Sequence, residues 1–178
     1  MTDPADTSGT SIHASAVLVG DRAILIRGPS GSGKSRLAFD LLMAGRAGQI
    51  VSARLVGDDR VHVWQHGDEL MVRPAPALAG LIEIRGLGIR RCDYAPEGRI
   101  ALVVDLDAAD ADRLPPPHSL QIRIKGILVP RIPVKRGFSG LPLVLAALTM
   151  TANSSSTQPS ADCSKEFGNH ITPTIATE

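Results

Sequence analysis

Residues 22–46 read RAILIRGPSGSGKSRLAFDLLMAGR, and this segment carries the strongest indication of the fold. It begins with an apolar run suited to a strand, and Leu37, Leu41 and Leu42 follow at helical spacing up to a stop at Gly45. The segment between them matches the pattern G-x-x-x-x-G-K-[S/T] in the strand-loop-helix context that such a loop requires. The residues of the match are Gly28, Pro29, Ser30, Gly31, Ser32, Gly33, Lys34 and Ser35. The stretch predicts an α/β protein with a phosphate-binding loop.

The loop has a definite chemistry. Its glycines allow backbone N–H groups to turn inward around phosphate oxygens, and the start of the helix adds partial positive charge. Lys34 can reach the terminal phosphates of a nucleotide, and the Ser35 hydroxyl can join the ligands of Mg²⁺. A nucleoside phosphate and Mg²⁺ are therefore the expected ligands.

The segments before and after the loop predict further strands. Apolar runs on both sides of Gly20-Asp21-Arg22 favour a hairpin, and alternating residues around the turn His66-Gly67-Asp68 favour a second one. LIEIRGLGI (81–89) predicts a strand that runs into glycines, and RIALVVDLD (99–107) predicts a buried strand that ends in acids. SLQIRIKGILVPRIPV (119–134) predicts one strand with a solvent face, and GLPLVLAALTM (140–150) predicts a short buried helix.

The composition is typical of a globular chain with an aliphatic core. Hydrophobic residues make up 43% and aromatic residues 3% of the 178 residues, and the formal net charge is +1. The charge is small and the basic residues are not interleaved with aromatic ones, so nucleic acid is not an expected partner. Cys92 and Cys163 lie far apart and form no metal-binding pair, which predicts neither a disulfide scaffold nor a zinc site.

The sequence predicts one folded domain between two polar ends. We expect a flexible arm over residues 1–10, a folded domain over 11–150 and a disordered tail over 151–178, because the tail is rich in Ser and Thr and has no hydrophobic periodicity. The N-terminus lacks a basic start followed by an apolar run, and no apolar stretch approaches the length of about eighteen residues that spans a bilayer. A cytoplasmic protein without membrane contact is expected.

Phosphoryl transfer needs more than a loop that binds phosphate, because the acceptor must also be activated. Asp58 and Asp59 follow a predicted strand and offer two carboxylates, one of which can accept a hydroxyl proton or orient a metal-bound water. Adjacent acids at a strand end are also ordinary turn residues. The two interpretations stay open on the residues alone.

Several segments together resemble one known family. They are SIHAS (11–15), GDDRV (57–61), IEIRGLGI (82–89), DADRLPPP (110–117) and IPVKRG (132–137). With the loop, and in a consistent order over about residues 11–150, they resemble the C-terminal catalytic domain of the HPr serine kinase/phosphorylase family. The resemblance implies a P-loop kinase core similar to phosphoenolpyruvate carboxykinase and transfer of phosphate from ATP, or pyrophosphate in many members, to a serine of the carrier protein HPr. It also implies reversal by phosphorolysis and assembly as a hexamer.

The resemblance also implies roles for individual residues. His13 matches the active-site histidine, Lys34 the loop lysine, and Asp58 the general base of the kinase direction, which becomes the acid in reverse. Asp59 is the neighbour of that base. The remaining matches are the magnesium ligands Ser35 and Glu83, the catalytic Arg113, the segment needed for both reactions with Arg85, Gly86, Leu87 and Gly88, and the basic loop with Lys135 and Arg136.

Two groups of polar residues stand outside these roles. His62 and His66 are four residues apart in a predicted hairpin, where this spacing does not form the two-histidine metal face of a helix, so both are predicted at the surface. Residues 121–137 contain five basic side chains and no acidic one. This run is either a solvated strand face or a surface that docks a protein partner. Its members are Arg123, Lys125, Arg131, Lys135 and Arg136.

The sequence also departs from the family. The basic loop of the family continues with an arginine-asparagine pair, whereas Phe138-Ser139 follow here, which leaves phosphorolysis open. Longer members carry an N-terminal domain that has no counterpart in this sequence. The leading prediction is an ATP- and Mg²⁺-dependent protein serine kinase that acts on HPr. The alternatives are a nucleotide-responsive regulatory module with little turnover and a kinase for another acceptor.

Overall fold

A computed structural model describes residues 9–150 and contains eleven strands and two α-helices in that range. The strands are β1 Thr10–Ile12, β2 Ser15–Val19, β3 Arg22–Arg27, β4 Ala53–Gly57, β5 Val61–His66, β6 Glu69–Pro74, β7 Leu81–Ile84, β8 Gly88–Arg91, β9 Gly98–Leu106, β10 Gln121–Ile124 and β11 Ile127–Val134. The helices are α1 Lys34–Arg46 and α2 Leu141–Thr149. The tail expected over 151–178 and the first eight residues of the expected arm lie outside the described residues, and Thr10 already belongs to β1.

Nine of these strands form one mixed sheet in the order β1-β5-β6-β9-β3-β2-β4, with β11 and β10 added beside β9. The central strand β9 pairs in parallel with β3 along one edge. Its other edge is shared, because β6 pairs antiparallel with its first residues and β11 pairs in parallel with Val103–Leu106. The expected buried strand thus lies at the centre of an α/β fold.

The core has two layers because successive side chains of a strand point to opposite faces of the sheet. In β3, Ala23 and Leu25 enter one hydrophobic cluster, which also contains Val61 and Val63 of β5 and Leu70 and Val72 of β6. Ile24 and Ile26 enter the second cluster, where they pack with Leu37, Leu41 and Leu42 of α1. The helical spacing in the sequence therefore marks the face of α1 that packs on the sheet.

Helix α1 does not end at Gly45 as the sequence predicts. It continues to Arg46, and the following Gly48 has the positive φ of 70° that is common just after a helix. Gly45 has a different function, since a Cβ atom there would lie 2.8 Å from the Cβ of Ala53 and 2.9 Å from its amide nitrogen. The absence of a side chain allows α1 to approach β4 closely.

Both predicted hairpins form, as β2-β3 and β5-β6. Two other predictions were wrong about strand number. LIEIRGLGI contributes β7, a turn and the start of β8, and this hairpin is a separate two-stranded sheet. The expected single strand over 119–134 is also a hairpin, because Lys125 and Gly126 have φ values of 46° and 82° and form a tight turn between β10 and β11.

The prediction that 140–150 forms a buried helix is half right. Helix α2 is present, but among its residues only Val144 is buried, and Leu143 is 45% exposed. Leu141, Val144 and Leu148 pack on the second hydrophobic cluster, at the spacing of one helix face. Within residues 9–150, no helix is long and apolar enough to cross a membrane.

Candidate active site

The topology brings several predicted segments to one edge of the sheet. Strands β3, β9 and β11 run parallel, so their carboxyl ends share an edge. Strand β4 has the same direction, because it is antiparallel to β2, which is antiparallel to β3. The segments that leave these four ends carry the phosphate loop, Asp58 and Asp59, Arg113, and the pair Lys135 and Arg136. Ligand sites of α/β sheets lie at such carboxyl edges.

The phosphate loop begins directly after β3, and α1 starts at Lys34. Gly33, the residue before the helix, has a φ of 97°, which residues with a side chain rarely adopt. The Lys34 ammonium donates to the carbonyl oxygens of Gly28 and Pro29 at 3.0 and 2.9 Å. The loop thus holds the cation in its own centre, where it can turn towards a phosphate.

Lys34 is buried, with 6% of its surface exposed. Burial lowers the pKa of its ammonium from the ordinary value, and the carboxylates of Asp58 and Asp59 partly oppose this change. Both carboxylates are therefore close enough to Lys34 to favour its charged form. The acid pair predicted from the sequence is therefore brought to the phosphate loop.

The two aspartates differ sharply in their surroundings. Asp58 is 3% exposed, and both of its carboxylate oxygens are engaged. One accepts a hydrogen bond of 2.5 Å from the hydroxyl of Ser15, which is fully buried, and the other accepts the amide of Glu83 at 3.0 Å. Asp58 thus ties the end of β4 to β2 and β7.

Asp59 faces solvent beside His13. Its side chain is 65% exposed, and one carboxylate oxygen lies 3.3 Å from Nε2 of His13, whose side chain is 44% exposed. Its φ of 66° is in the left-handed region, which few residues other than glycine adopt. This backbone turn points the two neighbouring carboxylates to different surroundings. Asp59 and His13 form an acid-histidine pair that a substrate can reach.

Glu83 and Ser35 fit the oxygen ligands that Mg²⁺ prefers. The amide of Glu83 is bound to Asp58, its side chain is exposed, and Ser35 is half-buried at the start of α1. Within residues 9–150 there is no group of three or more His, Cys, Asp or Glu side chains that could hold a metal. A site with two protein oxygen ligands is typical of Mg²⁺, because this ion takes most of its ligands from phosphates and water.

The other predicted residues lie in exposed turns and loops. Arg113 is exposed in the segment after β9, and it makes no hydrogen bond or ion pair within residues 9–150. Arg85, Gly86 and Leu87 form the turn of the β7-β8 hairpin, where the amide of Leu87 donates to Ile84, and Gly88 begins β8. Lys135 and Arg136 are exposed in a turn closed by a 3.0 Å hydrogen bond from the amide of Phe138 to the carbonyl of Lys135.

Two expectations about single residues were wrong, and one residue of the site was not predicted. His62 is not a surface residue: it is half-buried in β5, and its Nδ1 has no hydrogen-bond partner within residues 9–150. Arg131 does not belong to a solvated basic face, because its side chain is only 12% exposed and contacts two carboxylates. Ser15, which binds Asp58, was missed entirely. A serine that opens an otherwise apolar strand was the only available signal.

A phosphate loop that shares the carboxyl edge of an α/β sheet with an acid-histidine pair defines a domain of the P-loop class. The chain belongs to one family within this class. The profile described as HPr Serine kinase C-terminal domain matches residues 6–168. The expected fold class and family are thereby confirmed.

Curated relatives and a solved structure agree with this family. The chain is 33% identical over 181 residues to the HPr kinase/phosphorylase of Streptococcus uberis, covering 94% of this chain and 55% of that protein. It is 36% identical over 141 residues to that of Geobacillus thermodenitrificans, covering 72% and 43%. The Hpr(Ser) kinase/phosphatase from Coxiella burnetii matches with a TM-score of 0.62 and 26% identity, over 78% of this chain and 93% of that one. The chain spans about half the length of the curated relatives that it matches.

Proposed function

We propose that this domain transfers the γ-phosphate of ATP, with Mg²⁺, to a serine hydroxyl of the phosphocarrier protein HPr. The observation that carries the proposal is the placement of the phosphate loop and the Asp59–His13 pair at the same carboxyl edge of the sheet, where Asp59 acts electrostatically on Lys34. The loop fits the donor phosphates, and the exposed acid lies where an acceptor hydroxyl can approach. The relatives named HPr kinase/phosphorylase support HPr as the source of that hydroxyl.

The arrangement favours Asp59 as the base, although the resemblance implies Asp58. Asp58 is buried and both of its oxygens accept hydrogen bonds within the protein, so a serine on another protein cannot reach it. Asp59 is exposed and can accept the serine proton, while His13 orients its carboxylate. We therefore assign the base to Asp59 and a structural role to Asp58.

In the proposed reaction, the serine oxygen attacks the γ-phosphorus as its proton passes to Asp59. The bond from the γ-phosphorus to the oxygen that bridges it to the β-phosphate breaks, and ADP leaves. Lys34 turns from the loop carbonyls to the phosphate oxygens, and Arg113 offsets charge on the transferred group. Ser35 and Glu83 would hold Mg²⁺, which would supply neutralisation of the phosphate charge.

Matched asparagine variants separate the two aspartates. In Asp58→Asn the amide can still accept from Glu83 and can donate to Ser15, so we expect transfer of labelled γ-phosphate to HPr to persist. In Asp59→Asn the base is lost while the left-handed backbone stays acceptable, so the rate falls by about 10²-fold or more. ATP binding should be unchanged in both variants. The opposite order of rates would return the base to Asp58.

Several finer statements stay predictions. They are the likeness to phosphoenolpyruvate carboxykinase, the hexamer, the cytoplasmic location and the reverse reaction. Phosphorolysis would use inorganic phosphate to attack the phosphoserine, break its P–O bond to serine and release pyrophosphate, with the proton returned to the serine oxygen. Excess phosphate added to phosphorylated HPr and this protein tests it, because phosphoserine should then decrease and pyrophosphate should appear in equal amount.

A further inference from the structure

A chain of ion pairs crosses the carboxyl edge of the sheet outside the acid-histidine pair. Asp105 of β9 accepts two hydrogen bonds of 2.7 Å from Arg27 and one of 2.6 Å from Arg131. The guanidinium of Arg131 then donates to both oxygens of Asp110 at 2.6 and 3.0 Å, and to the carbonyl of Ser119 at 3.0 Å. The side chains of Asp105 and Arg131 are only 14% and 12% exposed.

The position of this chain of ion pairs relates it to the reaction. Arg27 is the last residue of β3 and directly precedes the phosphate loop. Asp110 and Ser119 lie at the two ends of the segment 111–118, which contains Arg113. Arg131 therefore holds both ends of this segment and, through Asp105, fixes them to the strand that leads into the loop.

Arg113 itself needs such support. Its side chain is exposed and has no hydrogen bond or ion pair within residues 9–150, and its neighbour Leu114 is 84% exposed. The segment therefore gains little order from its own packing. A positioned charge is effective only when the surrounding residues fix it, and an error of about 1 Å can cost about 10²-fold in rate.

The chemistry of the contacts suits positioning. A planar guanidinium that binds one carboxylate at two points fixes orientation as well as distance, which a lysine cannot do. Burial alone would raise the pKa of Asp105, but hydrogen bonds from Arg27 and Arg131 hold this pKa below the ordinary value. Hydrogen bonds from Arg131 lower the pKa of Asp110 to about 2. The carboxylates of Asp105 and Asp110 are thus both ionised at neutral pH.

We propose that Arg131, held between Asp105 and Asp110, is a positioning residue that places Arg113 beside the phosphate loop. The inference rests on the proposed function, in which Arg113 contacts the transferred phosphate. It adds residues that act through Arg113 and have no contact with the substrate themselves.

Asp110→Asn is the sharpest test, because it removes the ion pair between Arg131 and Asp110 and leaves the buried contacts of Asp105 in place. We expect the kcat for transfer to HPr to fall roughly 10- to 100-fold, with the Kd for ATP unchanged. The unfolding temperature should fall only slightly, because the side chain of Asp110 is 47% exposed. Combined with Arg113→Ala, it should cause no further loss beyond that of Arg113→Ala alone. The matched control is Glu69→Gln, which breaks the exposed 3.4 Å pair with Arg99 at the opposite end of β9 and should leave kcat unchanged.

A second readout does not depend on the acceptor. Trypsin can cleave after Arg113, and a segment freed by Asp110→Asn should be cut there several times faster than in the unaltered protein or in Glu69→Gln. An unchanged kcat, losses that multiply with Arg113→Ala, or an unchanged cleavage rate would overturn the positioning role. Absence of any transfer by the unaltered protein would instead overturn the proposed function, while faster cleavage in Asp110→Asn would still support the hold of Arg131 on the segment.

Discussion

At the scale of single residues, neighbouring aspartates with the same chemistry have opposite environments. Asp58 is enclosed and bonded to Ser15 and Glu83, whereas Asp59 is open and adjoins His13. The left-handed φ of Asp59 turns the chain sharply enough to separate them. Sequence alone gives both the same description, so a residue role carried over by resemblance can fall on either one.

Removal of the Asp58 carboxylate should destabilise the protein. Asp58→Ala leaves the buried Ser15 hydroxyl and the Glu83 amide without their acceptor, so we expect the free energy of unfolding to fall by about 1–3 kcal/mol for each group that stays unpaired. Urea unfolding measures the change, with Asp59→Asn as the exposed control. Equal unfolding midpoints for Asp58→Ala and the unaltered protein would refute the structural role of Asp58.

At the scale of elements, the approach of α1 to β4 depends on Gly45. Glycine to alanine inside a helix ordinarily stabilises by about 0.5–1 kcal/mol. Here the new Cβ would meet Ala53 at 2.8 Å, so we expect Gly45→Ala to destabilise by about 1–3 kcal/mol. Thermal unfolding distinguishes the two signs, and a stabilised variant would show that α1 can move away from β4 without cost.

The ion pairs that link β3, β9 and β11 should make the free energy of unfolding depend on pH in acid. The pKa of Asp110 is lowered to about 2 in the folded protein, so its contribution is fully present above about pH 4 and is lost as the pH falls towards 2. The effect is modest because the Asp110 side chain is 47% exposed. Asp110→Asn should make the unfolding free energy less dependent on pH between about 4 and 2. Parallel pH profiles for the two proteins would contradict this.

Elements whose signals lie within a few neighbouring residues could be predicted from the sequence. The strand, loop and helix over 22–46 and the hairpin turn at Gly67-Asp68 follow from residue type and spacing. The turn at Lys125-Gly126 carried a recognisable glycine signal that the alternation of 119–134 concealed. The contacts of Asp105 could not be predicted, because its partners Arg27 and Arg131 lie 78 and 26 residues away in the sequence.

At the scale of the whole molecule, nucleotide should stabilise the fold by mass action. Free ATP with Mg²⁺ at about a hundredfold its Kd adds about 2.7 kcal/mol to the free energy of unfolding. Lys34→Met should remove most of this gain, because the loop then lacks the cation that meets the terminal phosphates. Thermal unfolding with and without nucleotide measures both. An equal ATP-dependent increase in Lys34→Met would contradict the assigned role of Lys34.

The proposed transfer of phosphate to a serine of HPr can be tested in a single labelling experiment. Purified protein is incubated with Mg²⁺, γ-labelled ATP and HPr, beside an HPr variant with its acceptor serine changed to alanine. We expect labelled phosphoserine on HPr, none on the alanine variant, and loss of the label with Asp59→Asn. Measurable ATP binding with no label on HPr would refute the proposed transfer and favour a regulatory nucleotide-binding module or another acceptor.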